Sequence, residues 1–135
     1  MAPTAKKVLI ADDEPDVHAF VQAVLEPDGH QVLTAMDGQA ALKTAYAERP
    51  DLIILDVEMP KKSGFDVFEE LRRHEATKSI PIIMLTGINQ RPGPGPKFSA
   101  KDMTLYYESS PDAFIEKPVD PATLRDTVNR LLNRP

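Results

Sequence analysis

The tightest constraint on this chain is the run Leu52-Ile53-Ile54-Leu55, four bulky apolar residues that end directly on a carboxylate, Asp56. Val57-Glu58-Met59-Pro60 then turns the chain away. An unbroken apolar run of this length, bounded by turn-forming residues, reads as a strand buried on both faces, as in a parallel sheet. Asp56 then falls at the strand's carboxyl end, at the mouth of the core. A sheet gains nothing from a charge there, so this acid points to chemistry rather than to packing.

The rest of the chain repeats the pattern. Lys7-Val8-Leu9-Ile10-Ala11 is a second short buried strand, and it too runs into acid, Asp12-Asp13-Glu14. Pro15 suits the first turn of a helix, where its missing N–H costs nothing; Asp13 or Glu14 would cap or flank that end. Val17, Phe20, Val21, Val24 and Leu25 line one face of the helix, and Pro27-Asp28-Gly29 ends it. Gln31 to Ala35 predicts a weaker edge or near-edge strand. Asp37-Gly38 opens a second helix with Ala41, Leu42 and Ala45 inward, and Arg49-Pro50 stops it.

Lys61-Lys62-Ser63-Gly64 reads as a loop. A third helix runs from about Phe65 to His74, with Phe65, Phe68 and Leu71 inward and Glu69, Glu70, Arg72 and Arg73 on the wet side. Ile80 to Leu85 is another buried strand, in which Pro81 is tolerable only near the start, and Thr86-Gly87 closes it. Asp112 to Glu116 is the last strand, followed by Lys117-Pro118. Asp120-Pro121 starts a final helix as cap and first-turn proline, with Leu124, Val128, Leu131 and Leu132 as its apolar face. Between these last strands the pattern breaks. Arg91-Pro92-Gly93-Pro94-Gly95-Pro96 suits neither helix nor central strand. Residues 88–97 read as a mobile loop, and 99–107 as one or two helical turns with Ser99 and Asp102 at capping-box spacing.

Strands alternating with helices imply right-handed crossovers and a parallel sheet covered on both sides. The expected class is α/β: a doubly wound, flavodoxin-like sheet of five strands in the order 2-1-3-4-5. Ligands of such sheets bind outside the carboxyl ends, where the winding reverses between strands 1 and 3. Those two ends carry Asp12-Asp13 and Asp56. A chain of 135 residues fits one domain, 1–135, with 88–110 as an extended Pro/Gly-rich loop. Its net charge of −5 makes nucleic acid a poor direct partner. With no cysteine, thiol chemistry and thiolate metal sites are excluded. Met1 to Lys7 lacks the apolar core of a signal peptide, and no run approaches a membrane span. The expected compartment is the cytoplasm.

Three carboxylates brought to one place repel, by roughly 4 kcal/mol per pair at about 4 Å and an effective dielectric near 20. Either one acid keeps a proton or a cation sits among them. An all-oxygen site suits Mg²⁺ or Mn²⁺, and Mg²⁺ combines one or two carboxylates with phosphate oxygens. Thr86 and Lys117 end two further strands on the same edge. A hydroxyl and an ammonium beside a nucleophilic carboxylate are what the oxygens of a phosphoryl group need.

On these pieces the sequence resembles the receiver domain of two-component response regulators, of the stand-alone chemotaxis type, over essentially the whole chain. The resemblance is carried by residues 8–14, by Asp56-Val57-Glu58-Met59-Pro60 with Gly64, by Thr86-Gly87 and by Phe114-Ile115-Glu116-Lys117-Pro118. It implies that Asp56 accepts a phosphoryl group from a phosphohistidine of a sensor histidine kinase or phosphotransfer protein. It implies that Asp12 and Asp13 hold Mg²⁺ with Asp56 and the backbone carbonyl of Glu58, and that Thr86 and Lys117 bind the phosphoryl group. The Lys117–Pro118 peptide is expected cis, aiming the lysine. Phosphorylation is expected to draw Thr86 toward the phosphate and swing Phe114, in place of the commoner tyrosine, inward. Output would pass to a downstream protein through contacts, because no further domain follows Pro135, unless the chain is a piece of a larger regulator.

The chief departure from the family is the long stretch 88–110, where the family's helix between strands 4 and 5 should begin. Either that helix is displaced to 99–107 or it is absent at rest, ordering on phosphorylation or partner binding. Other functions fit less well. A phosphohydrolase forming an aspartyl-phosphate would want a second aspartate where Glu58 stands, and a cap domain. A flavodoxin-like cofactor binder would want a Ser/Thr/Gly phosphate loop where the first acids stand. A receiver that signals without phosphate has no need of the intact five-residue set. Taken singly, Asp12-Asp13 could be helix caps, Lys117 a solvated lysine and Thr86 a turn residue. His18, His30 and His74 read as surface or boundary residues, Tyr106-Tyr107 as a cover for the core, and Arg72-Arg73 with Lys61-Lys62 as a wet face.

Overall fold

The computed structural model describes residues 6–59, 62–86 and 111–133. Five parallel strands lie in the order β2-β1-β3-β4-β5: β1 Lys7–Ala11, β2 Gln31–Ala35, β3 Leu52–Asp56, β4 Ile82–Thr86 and β5 Ala113–Glu116. The helices are α1 Pro15–Leu25, α2 Gly38–Glu48, α3 Gly64–Arg73 and α4 Pro121–Leu132. The expected doubly wound class and strand order are the observed ones. β2 is an edge strand, as its thin apolar content predicted.

The period of two along each strand divides the core. Leu9, Ile53, Leu55, Ile82 and Met84 face α2 and α3, where Ala41, Ala45, Val67, Phe68 and Leu71 meet them. Val8, Ile10, Leu52, Ile54, Ile83 and Leu85 face α1 and α4, against Val21, Leu25, Leu124 and Val128. Every residue of β3 and β4 is buried. Each such Leu or Ile contributes about 1.5–3 kcal/mol of transfer free energy, so the middle of the sheet is the rigid platform and its carboxyl edge is held accurately. Among the described residues, no helix is long and apolar enough to cross a membrane.

The local signals acted largely as read. Asp37 and Asp120 cap α2 and α4, accepting from the N–H groups of Ala40 and Thr123. Arg49, with φ 46°, closes α2 in the left-handed region. Four readings change. α3 starts at Gly64 rather than Phe65, because Ser63 caps it by accepting from the Asp66 N–H. Glu14 occupies the N-cap of α1, but its side chain makes no capping bond; instead the Asp12 carboxylate accepts from the Glu14 N–H. Arg72 is no wet-face residue. Its guanidinium bonds the carbonyls of Lys78 and Ile80, pairs with Asp112 at 2.8 Å and lies over the Phe68 ring. His18 is buried rather than peripheral. The loop expected at 88–97, the turns expected at 99–107, the Tyr106-Tyr107 pair, Gly87 and Pro60-Lys61 lie outside the described residues.

Candidate functional site

Because the strands are parallel, their carboxyl ends open on one edge. Chain reversal there sends α1 to one face and α2 and α3 to the other, leaving a cleft above β1 and β3. Ala11 pairs with Leu55 in register, so the residues that follow each of them, Asp12 and Asp56, emerge side by side. Carboxylate oxygens of Asp12, Asp13 and Asp56 all lie within 4.8 Å of one another. Asp12 is 0% and Asp56 5% exposed, whereas Asp13 is open to solvent.

A cation already stands among the acids. β5 is parallel to β4, and the Lys117 N–H continues the ladder to the Thr86 carbonyl at 2.9 Å. From that anchor the Lys117 ammonium reaches Asp12 Oδ2 at 2.9 Å, Asp56 Oδ1 at 3.2 Å and Glu14 Oε1 at 3.4 Å. The Lys117–Pro118 peptide is cis, as expected. Burial pushes the Asp56 carboxyl up from 3.8 to about 6; neighbouring Asp12 acts the same way, while Lys117 pulls it back. For Lys117, burial works to lower the pKa, but the hydrogen bond to Asp12 and the charge of Asp56 outweigh it and raise the pKa to about 12. The lysine therefore stays charged, and Asp56 is an ionised carboxylate above about pH 6 with little water around it. A poorly solvated carboxylate beside a fixed ammonium is a competent oxygen nucleophile.

Thr86 ends β4, next in the chain to Leu85, the register partner of Asp56, and is 2% exposed. Phe114 pairs with Met84 in register and packs, half-buried, against the α2–α3 side of the core. It lies within β5 and outside the acid group. Glu58 is exposed, and its carboxylate is not among the clustered oxygens. The donor set fits a hard, partly hydrated divalent cation: clustered carboxylates, two of them buried, with one side open for water.

Three contributors had no site role assigned from the sequence, although Glu14 and Gly64 were among the residues that carried the family resemblance. Glu14 shares Lys117 with the inner acids. Gly64 lies so close beneath β3 that a Cβ there would overlap the Asp56 carbonyl, and its N–H donates to Val57 O at 2.9 Å. His18 bonds the Asp12 carbonyl through Nε2 at 2.7 Å. His18 left a signal in its spacing: it shares the inward line of Val21 and Leu25, at i+3 and i+7.

Residues 8–129 match the family described as the response regulator receiver domain. The chain is 38% identical over 129 residues to the alkaline phosphatase synthesis transcriptional regulatory protein PhoP of Bacillus subtilis, covering 96% of this chain and 49% of that protein. The chain thus spans about half the length of the first curated relatives it matches. PilH of Pseudomonas aeruginosa is 34% identical over 128 residues, covering 93% of this chain and 97% of that protein. Among solved structures, the chemotaxis protein CheY4 of Vibrio cholerae superposes with a TM-score of 0.78 at 32% identity, covering 95% of this chain and 99% of that one.

Proposed function

The chain belongs to the family of response regulator receiver domains, and on that premise we propose that Asp56 is its phosphoacceptor, served by Asp12, Asp13, Thr86 and Lys117. The observation that carries this is the convergence of the Asp12, Asp13 and Asp56 oxygens within 4.8 Å of one another, with Lys117 across them. An Asp56 carboxylate oxygen attacks phosphorus, a P–O bond forms, and the P–N bond to the donor's imidazole breaks. The electron pair of that bond leaves with the donor nitrogen. A sensor histidine kinase or phosphotransfer protein is the donor that fits.

Asp12 and Asp13, with Asp56 and the Glu58 carbonyl, would hold Mg²⁺ or Mn²⁺. A cation bound there supplies positive charge against the phosphoryl oxygens. Lys117, released from part of its bonding to the acids, neutralises one phosphoryl oxygen, and the Thr86 hydroxyl donates to another. The same hydroxyl is the first moving part of the switch. Thr86 leaves room at the edge of β5 as it shifts, and Phe114, already half-buried on the core, turns further in.

Residues 1–135 are read as one receiver domain, of which the Pro/Gly-rich stretch 88–110 lies outside the described residues. Output passes to a protein target through surface contacts rather than directly to nucleic acid or membrane. The domain is a phosphoacceptor and not a turnover enzyme. A phosphoryl donor of that kind would meet the domain in the cytoplasm, the expected compartment.

The test is mass spectrometry of the intact protein with Mg²⁺ and acetyl phosphate. Wild type gains one phosphoryl unit, mapped to Asp56, and Asp56→Asn gains none. A wild type that stays unmodified, or a variant that labels as well as wild type, refutes the assignment.

A further inference from the structure

We infer that His18 is a positioning residue for the acid pair: by bonding the Asp12 carbonyl it sets where the Asp13 carboxylate stands, and with it the cluster's affinity for a divalent cation. This rests on the reading of Asp12 and Asp13 as cation ligands.

Asp12 is hydrogen-bonded through its N–H, its carbonyl and Oδ1, and its Oδ2 lies in ion-pair contact with Lys117. Its N–H donates to Ala35 O at 3.0 Å. Its Oδ1 accepts from the Glu14 N–H at 2.9 Å, and its Oδ2 meets Lys117 at 2.9 Å. Its carbonyl accepts from His18 Nε2 at 2.7 Å, in a buried bond. A carbonyl oxygen only accepts, so Nε2 carries the proton. That carbonyl belongs to the planar peptide that also contains the Asp13 nitrogen. Holding its oxygen therefore fixes the direction in which the chain enters Asp13. Asp13 is exposed, so packing does not hold it; its position derives from its backbone.

The anchor itself is firm. His18 is 9% exposed on the inward line of α1. The Glu14 carbonyl accepts from Val17 N–H at 3.0 Å, joining the acid loop to the first turn of the same helix. Loop and helix thus form a closed clasp, with the imidazole as its side-chain pin. Burial alone would favour an aliphatic residue at this place. An imidazole that spends its proton on the main chain of a ligand pair is a second-layer support, a kind whose loss typically weakens metal binding by 10–100-fold.

The experiment titrates the full chain with Mg²⁺ and follows the backbone amide shifts of Asp13 and Glu14. His18→Leu and His18→Phe both remove the donor while filling the space, so misfolding of one leaves the other as the test. His18→Gln offers an amide N–H in its stead. Val21→Ala loosens the same helix without touching the acid loop. Loss of the donor should weaken Mg²⁺ by roughly tenfold, with the Gln variant recovering most of it. Val21→Ala should lower Tm and leave the affinity as in wild type. The inference is overturned if the Leu and Phe variants bind Mg²⁺ as wild type does. It is equally overturned if Gln is no better than Leu, or if Val21→Ala weakens binding as much. A wild type that does not bind Mg²⁺ overturns the underlying cation reading, a different result from wild-type binding that ignores His18.

Discussion

Replacing Asp56 with Asn should make the metal-free protein more stable, and by an amount that grows with pH. The carboxylate is 5% exposed, and burial, reinforced by Asp12 and opposed by Lys117, raises its pKa from 3.8 to about 6. The native state therefore holds this proton more tightly than the unfolded chain does. Below the unfolded value both states are protonated, and the group's contribution to stability is fully present. That contribution is lost as pH rises through about 6, because the folded protein must then ionise a poorly solvated acid. At about 1.4 kcal/mol for each pH unit between the two values, the loss amounts to about 3 kcal/mol. Asparagine has nearly the same shape, never ionises, and can still accept from Lys117 through Oδ1. The variant should thus gain about 3 kcal/mol at alkaline pH, or roughly 10 °C in Tm for a domain of this size. Urea unfolding of both proteins in EDTA, at about pH 4 and about pH 8, measures it. A gain of equal size at both pH values, or a less stable variant at the higher one, would refute the electrostatic account. Saturating Mg²⁺ should narrow or invert the difference, since the cation stabilises only the folded acids.

Three further outcomes follow from particular contacts. Asp13→Ala should weaken Mg²⁺ binding and slow labelling by acetyl phosphate. Since Asp13 also helps raise the Asp56 pKa, the metal-free Tm should not fall; a clear drop counts against the acid-cluster reading. Gly64→Ala forces a methyl into the Asp56 carbonyl, so α3 must shift. A loss of about 1–3 kcal/mol by chemical denaturation, with slower phosphorylation, is expected, and wild-type stability would contradict the close approach. Arg72→Ala removes the bonds to Lys78 O, Ile80 O and Asp112 and leaves that carboxylate half-buried. The expected loss is about 2–3 kcal/mol by urea titration, and a change under 0.5 kcal/mol would return Arg72 to the wet face.

Much of this molecule is legible in one dimension. Apolar runs such as 52–55 and 82–85 have no stable place except between two layers of helix, so the strands, their parallel arrangement and the class of sheet follow from residue order. Caps at Asp37 and Asp120 are equally local, because a short polar side chain bonds an N–H three residues on. The candidate site residues were readable for the same reason. Asp12, Asp56, Thr86 and Lys117 each interrupt or end a strand where burial alone would not choose them.

Contacts between distant segments were decided only in three dimensions. Arg72 looks solvated on a helical wheel, yet the turn that returns the chain to β4 and the start of β5 closes over its guanidinium. Lys117 stands far from Asp12 and Glu14 in the chain, and nothing local says that its ammonium rests across the acids it was expected to assist. His18 and Gly64 act on backbone atoms, and residue order, though it puts His18 on the inward line of α1, does not name those partners. Residue order therefore determined which groups reach the open edge of the sheet, since periodicity and burial are local properties. Tertiary packing decided their charges and exact positions, because desolvation and ion pairing depend on which segments the sheet brings together.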